Sequence, residues 1–374
     1  MHKSPASPSA SYRNSISSVL LLSAVLFLLS GTALGFGFHD ALSYGNSIDV
    51  ISVRAAGLVG ARVFGADGPS AIFLNPAGLK NISSLGVSAS TSYLSWTEEV
   101  QDSTSTVQRS DRGLGSLTGS FAVRTGSSLV LGAGVAKVSD FQYDGTHFLP
   151  EDPSHPDIDI IETLKSSGGL WEALGGVSWD VNENLTVGAS GGLRFGEVSY
   201  DYTLDKKFTP DVDSSSTWSW DLSEPCYHAG FTIGDDILAA GASYTSGTED
   251  RYYSRLAIAG MARAEHIGNT NVSFEGDIID PFGENYFNGK LSLETPIRSN
   301  FSLLAGVGFN EGPKKKRVGM NFSVGGTYTA SNIRVEFALF SVNRSRLSSS
   351  FPAEFSDYVD DSWTHFCFGL QYTI

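Results

Sequence analysis

Apolar and polar residues alternate along most of this chain, in fourteen short stretches. In 318–328 one face carries Val318, Met320, Phe322, Val324 and Tyr328, and the other carries Gly319, Asn321, Ser323, Gly325 and Thr327. Period-two alternation belongs to a strand whose two faces meet different surroundings. Strands are predicted near 85–96, 114–124, 128–141, 170–181, 185–201, 227–234, 237–246, 254–263, 268–278, 287–297, 301–309, 318–329, 332–343 and 363–374. The short connections, such as Asn182-Glu183-Asn184, Asp235-Asp236 and Arg298-Ser299-Asn300, are rich in hairpin-turn residues. The others are long: 97–113, 142–169, 202–226, 247–253, 279–286, 310–317 and 344–362. Short and long alternate. A transmembrane barrel sorts its loops by end in this way, and a soluble sandwich has no reason to.

Charge supports the same choice. Arg194, Arg255, Arg263, Glu275, Asp277, Lys290, Glu294, Arg334 and Glu336 fall on the faces opposite the apolar stripes. A dry core would not collect them, whereas a lumen holds them hydrated or paired. Glu275 and Asp277 lie one hairpin away from Lys290, so local pairing is expected. The predicted fold is all-β, a transmembrane antiparallel β-barrel of about 14 strands, with an N-terminal hatch, or plug, inside the lumen.

Residues 1–35 read as a secretory signal peptide: Lys3 and Arg13 precede the apolar run 19–29, and small residues follow at 30–35. Past Gly35 no stretch approaches the ~20 apolar residues of a spanning helix, so an integral protein must close its strands into a barrel. The organisation expected is signal peptide 1–35, hatch 36–84 and barrel 85–374, in the outer membrane of a Gram-negative-type cell. The net charge of −15 argues against a nucleic-acid partner. The two cysteines, Cys226 and Cys367, make no disulfide framework, and their pairing is left open. The basic run 314–317 is either an exposed turn or a contact for lipopolysaccharide phosphate. No enzyme constellation emerges. His147 and His155 share a loop at poor metal spacing, and no metal or cofactor is expected.

Residues 36–84 do not alternate and are rich in Gly and Ala. Pro69 can open a short helix and Asn75-Pro76 can close it. The stretch 66–79, ending Asn75-Pro76-Ala77-Gly78-Leu79, resembles the hatch motif of the FadL-type outer-membrane transporters, which precedes their first strand. Barrels of the PorV/PorQ type carry a similar motif. The resemblance implies a fourteen-stranded barrel with Asn75, Pro76, Ala77 and Gly78 in the hatch. It also implies passive uptake of a hydrophobic compound, such as a long-chain fatty acid, with outer-membrane lipid and lipopolysaccharide as surroundings. A kink in the third strand would open the wall, and Gly132 and Gly134 could permit it. Ligand contacts are expected from Phe141, Tyr143, Phe148, Trp171, Trp218 and Trp220. Ile158, Ile160, Ile161 and Leu164 could form a short helix over the mouth. The aromatic residues could equally form an interfacial girdle. Arg194, Arg255 or Arg263 would hold a carboxylate head group, or else pair with acids in the lumen. The alternatives are a non-transporting scaffold with a secretion-system partner, and a general porin.

Overall fold

The computed structural model describes residues 46–374 other than 49, 102–105, 150–159, 207–213, 249–251, 284, 312–317 and 348–357. Residues 1–35, Ile158, His155 and the basic run 314–317 lie outside the described residues. The N-terminal part holds β1 (Asn46–Ser47), a single helical turn α1 (Val53–Gly57) and two 3-10 turns, Gly68–Phe73 and Pro76–Asn81. One side of the wall is built from β2 (Leu85–Gln101), β3 (Thr106–Arg124), β4 (Leu129–Asp140), β5 (Tyr143–Leu149), β6 (Ile160–Asp180), β7 (Leu185–Lys206) and β8 (Ser214–Gly234). The other comprises β9 (Leu238–Thr245), β10 (Arg255–Ala264), β11 (Thr270–Ile279), β12 (Tyr286–Arg298), β13 (Phe301–Glu311), β14 (Val318–Ala330), β15 (Ile333–Leu347) and β16 (Tyr358–Thr373).

These sixteen strands share one sheet. Setting aside β1 and β5 leaves fourteen, and they close: β16 pairs with β2 from Tyr358↔Gln101 to Thr373↔Gly86, and β4 pairs directly with β6. Each of the fourteen predicted stretches is one of these strands. Closure removes the edges that lipid could not satisfy.

The barrel is apolar outside. Phe121, Phe274 and Phe366 are 52%, 58% and 50% exposed, while their strand neighbours Ser120, Ser273, Glu275 and His365 are buried. The wall is also uneven. β6, β7 and β8 run for 21, 22 and 21 residues, whereas β9, β10 and β11 have 8, 10 and 10. At ~3.3 Å per residue, the tall side rises well beyond the short one. The rise changes two expectations. Ile160, Ile161 and Leu164 form no helix; they begin β6, flanked by β5 and β7. Backbone ladders on both sides and β-branched side chains favour the strand. Likewise 202–226 is mostly strand, with Leu204↔Ser214 the outermost pair of β7 and β8.

The N-terminal segment meets every barrel strand on its inward face. Ser90 of β2, Ser178 of β6 and Ser190 of β7 donate to the carbonyls of Ile51, Ala77 and Ile72. Arg124 of β3 donates to those of Lys80 and Ile82. Leu79 and Phe73 lie against Gly132 and Gly134 of β4. Lys80 reaches Thr232 of β8, and Val63 covers Gly241 of β9 and packs with Ala257 and Ala259 of β10. Glu275 of β11 accepts the N–H groups of Arg62 and Val63, and Lys290 of β12 donates to Gly60 O. Leu304 of β13 packs with Leu58 and Ala61, and Ser323 of β14 joins Val59 N to Gly57 O. Arg334 of β15 pairs with Asp67, and Val53 sits beside Gly369 of β16. The segment thus contacts all fourteen barrel strands.

Candidate functional site: the bore and its seam

The Asn75–Gly78 motif is a knot of backbone contacts. Asn75 is fully buried and caps the second 3-10 turn, its Oδ1 accepting from Ala77 N at 3.2 Å while its Nδ2 donates to Val63 O at 3.2 Å. Pro76 occupies the first position of that turn, where no N–H is needed. The wall yields to the motif. A Cβ on Gly188 would stand 2.3 Å from Ala77 N, and one on Gly230 would stand 2.2 Å from Asn75 Oδ1. Charged ties hold the rest of the segment, Arg54 to Glu294 at 2.6 Å and Asp67 to Arg334 at 2.8 Å, and within the wall Lys290 pairs with Glu275 and Asp277 at 3.0 and 2.6 Å. The expected pairing of Lys290 with Glu275 and Asp277 is present.

Above the segment the bore turns apolar. Leu94, Trp96, Val138, Phe141, Tyr143, Leu164, Leu170, Leu174, Val198, Tyr200 and Tyr252 are buried in one cluster. Its aromatic rings touch in sequence. Trp218, 41% exposed at the rim, stacks on Tyr200 at 5.0 Å. Trp220 Nε1 donates to Tyr200 Oη at 3.3 Å and meets Phe141 edge-on at 5.2 Å. Beneath the cluster lies a buried polar group. Arg194 donates to Glu172 Oε1 from Nη2 at 2.5 Å and from Nε at 3.0 Å, and its Cζ lies 3.9 Å from the centre of the Tyr252 ring. Glu172 also meets His228 at 3.0 Å, and Thr245 bridges His228 to Arg62 of the inner segment.

A seam opens beside this cluster. β3 and β4 pair from Arg124↔Val130 to Thr118↔Ala136 and no further. Beyond that point β4 takes β1 as partner at Ser139 and Asp140, and its register with β6 slips between Lys137 and Ser139. The chain then breaks at Phe141–Gln142 before β5 resumes pairing with β6. Gly132 and Gly134 do not make the break. They lie below it in regular register and leave room for Leu79 and Phe73.

Of the residues singled out from sequence, Phe141, Trp218 and Arg194 meet around the cluster, as do Tyr143 and Trp220. Trp171 does not. It shares the outward face of β6 with Trp179 and pairs across to the outward Phe195, so it belongs to the lipid-facing band. Arg255 lies across the bore, 4.0 Å from Asp277. Arg263 sits near the turn end of β10 and donates to Asn271. The side chain of Phe148 is not among those described, nor is that of His147. Cys226 and Cys367 are buried free thiols. The sequence 188–192 has Gly-x-Ser-x-Gly spacing, but Ser190 lies in the middle of a regular strand and donates to Ile72 O, not on the strand-to-helix turn of a hydrolase nucleophile. Sequence reasoning passed over Trp96, Tyr200, Tyr252, Glu172 and His228. A signal for the cluster was available. On β7 the inward positions read Thr186, Gly188, Ser190 and Gly192 near the turn, then Val198, Tyr200 and Tyr202 farther out.

No protein-family model matches the sequence, and no curated protein does. Solved structures do match. A FadL homologue of Pseudomonas aeruginosa aligns with a TM-score of 0.64 at 12% identity, over 88% of this chain and 99% of that one. The fold is that of the FadL-type channels. The Pseudomonas putida toluene transporter TodX gives 0.61 at 12% identity over 92% and 100%, and the Ralstonia pickettii toluene transporter TbuX gives 0.59 at 14% over 88% and 99%. The FadL-type fold thus covers most of the chain.

Proposed function

We propose that this protein is an outer-membrane channel for passive uptake of hydrophobic compounds, with residues 36–84 as the hatch that closes its bore. The exposed Trp218 takes the ligand at the rim, and the aromatic cluster holds it. The ligand then leaves sideways, between β3 and β4, into the bilayer. The observation that carries this reading is a buried aromatic cluster set beside the end of the β3–β4 ladder, above the segment that all fourteen barrel strands contact. An open aqueous pore would reject a greasy solute, while an apolar site that buries about 150 Å² of its surface favours it by roughly 4 kcal/mol. The apolar lining favours transport over a protein-holding scaffold, and the filled bore disfavours a general porin. The lipid-facing band would sit among outer-membrane lipid and lipopolysaccharide.

The cargo class follows from the same groups. Stacked rings suit an aromatic hydrocarbon, the class of cargo of the toluene transporters TodX and TbuX. Among the described residues, the buried donors Arg194 Nη1 and Trp96 Nε1 have no partner, so an acyl chain ending in a carboxylate would also find a donor here. Uptake of radiolabelled toluene and of a radiolabelled long-chain fatty acid, by cells with and without the protein, tests both. Faster entry of at least one supports the channel, and equal rates for both would reject it.

A further inference from the structure

The gap in the wall has a cause that the channel reading does not itself supply, and it lies one strand before the break in β4. Thr91 pairs with Leu117 and Tyr93 with Leu114, so Ser92 of β2 faces two residues of β3, Gly115 and Ser116. That is a β-bulge, which bends its strand and strengthens its twist. It reverses the inward parity of β3: Ser116, Thr118 and Ser120 are buried below it, and Gly113 and Gly115 above it. The last β3–β4 pair, Thr118↔Ala136, comes immediately below.

The bulge is written into the side chains around it. A bulged residue loses its ladder bonds, and both lost groups of Ser116 are recovered from β2. Ser92 Oγ accepts the Ser116 N–H at 2.8 Å, and Thr91 Oγ1 donates to Ser116 O at 2.9 Å. Ser116 Oγ donates to Ser92 Oγ at 2.9 Å. With two donors already on it, Ser92 Oγ turns its own hydrogen toward His365 Nδ1 of β16, 3.2 Å away. All three side chains are buried. A Cβ on Gly115 would stand 2.6 Å from Ser92 Oγ and 3.1 Å from His365 Nδ1, so any larger residue would displace this hydroxyl and ring.

We infer that Ser92, Ser116 and His365 are positioning residues that pin the β3 bulge and thereby hold the lateral gap open, setting its width and so the cross-section of solute that leaves. They act on the wall and need not touch the ligand. Removing the extra residue would return β3 to register, so that it competes with β1 for the edge of β4 beyond Ala136. This inference rests on the sideways exit proposed above, and the test separates the two.

Full-length protein is reconstituted in outer-membrane vesicles, and both binding and uptake of labelled toluene are measured. Deletion of Gly115 is expected to leave the dissociation constant within about twofold and to lower the uptake rate about tenfold or more, a loss confined to the release step. Ser92→Ala, which orphans the Ser116 N–H, should lower uptake less, and Ser92→Thr, which keeps the hydroxyl, should restore it. Binding at wild-type strength also certifies that each variant is folded. Unchanged uptake in both the deletion and Ser92→Ala variants would overturn the pin. A cross-strand disulfide from Leu117→Cys and Lys137→Cys, one step beyond the last natural pair, closes the seam by other means. If that lock abolishes uptake while the pin variants transport normally, the exit stands and the pin falls. If the locked protein transports as well as the wild type, the sideways exit itself is wrong and the pin falls with it.

Discussion

Arg194 is enclosed in the bore together with the carboxylate that pairs with it, and Glu172 serves His228 as well. Removing one member of a buried pair strands the other, typically at about 3–5 kcal/mol. Arg194→Ala should therefore lower the temperature at which heated samples shift from the compact to the unfolded gel band. Arg194→Met combined with Glu172→Leu should recover most of the loss. An equal drop in both variants would show that packing, not the stranded charge, is responsible. Asn75 has a comparable place in the inner segment. Asn75→Ala removes a cap and a tie to Val63 O, worth about 1–2 kcal/mol together. Faster amide exchange across 63–81 is expected, with the barrel strands unchanged. At this scale the sequence was legible wherever parity decided. Inward Arg194, Glu275, Asp277 and Lys290 followed from alternation alone, and so did their need for partners. Trp171 and Trp218 differ by an odd number of positions within a continuous register, yet both read simply as loop-end aromatics until their strands were extended.

Among elements, the strands were readable at their turn ends and not at their outer ends. From Ser214 to Ser219 every residue of β8 is exposed. A strand standing clear of the bilayer has polar surroundings on its outer face and an open mouth on the other, so period-two hydrophobicity fades there. The bulge in β3 is illegible for a related reason, since one extra residue between Ser and Gly leaves no trace in composition. The inner segment was recognisable as an element by its lack of alternation, but its ties were not. Asp67 is one of them. Burial works to raise its carboxyl, and the guanidiniums of Arg54 and Arg334 overcome that, leaving it below the ordinary carboxylate range. A group depressed in the folded state contributes stability that is complete above its unfolded pKa, about 4, and is lost as pH falls through the folded one. Protection of the amides near Asp67, taken relative to the intrinsic exchange rate at each pH, should thus stay flat from neutral pH to about 5 and fall below about 4. Asp67→Asn should remove that acid step. Loosening that begins near neutral pH would contradict the tie.

For the whole molecule, an apolar exterior and a polar, filled interior assign each face a solvent. Phe274 looks outward midway along β11. Phe274→Arg should cost about 2–4 kcal/mol in lipid if that face meets acyl chains near the midplane, and the same variant in a soluble protein would cost almost nothing. Measured refolding into bilayers reads the difference. The uneven wall and the seam belong to this scale as well. On the proposed reading, the mouth, the aromatic cluster and the exit lie around β3, β4 and β6 to β8, while the short side anchors the inner segment through Glu275 and Lys290. The most direct measurement is photolabelling with a diazirine-bearing fatty acid during uptake, with adducts mapped by mass spectrometry. The expected adducts fall in the aromatic cluster and along the seam, at 94–96, 117 and 138–143. Adducts running past the inner segment to Lys80, Thr186 and Thr232 at the turn end would mean that the ligand crosses the bore from end to end, and would contradict the sideways route.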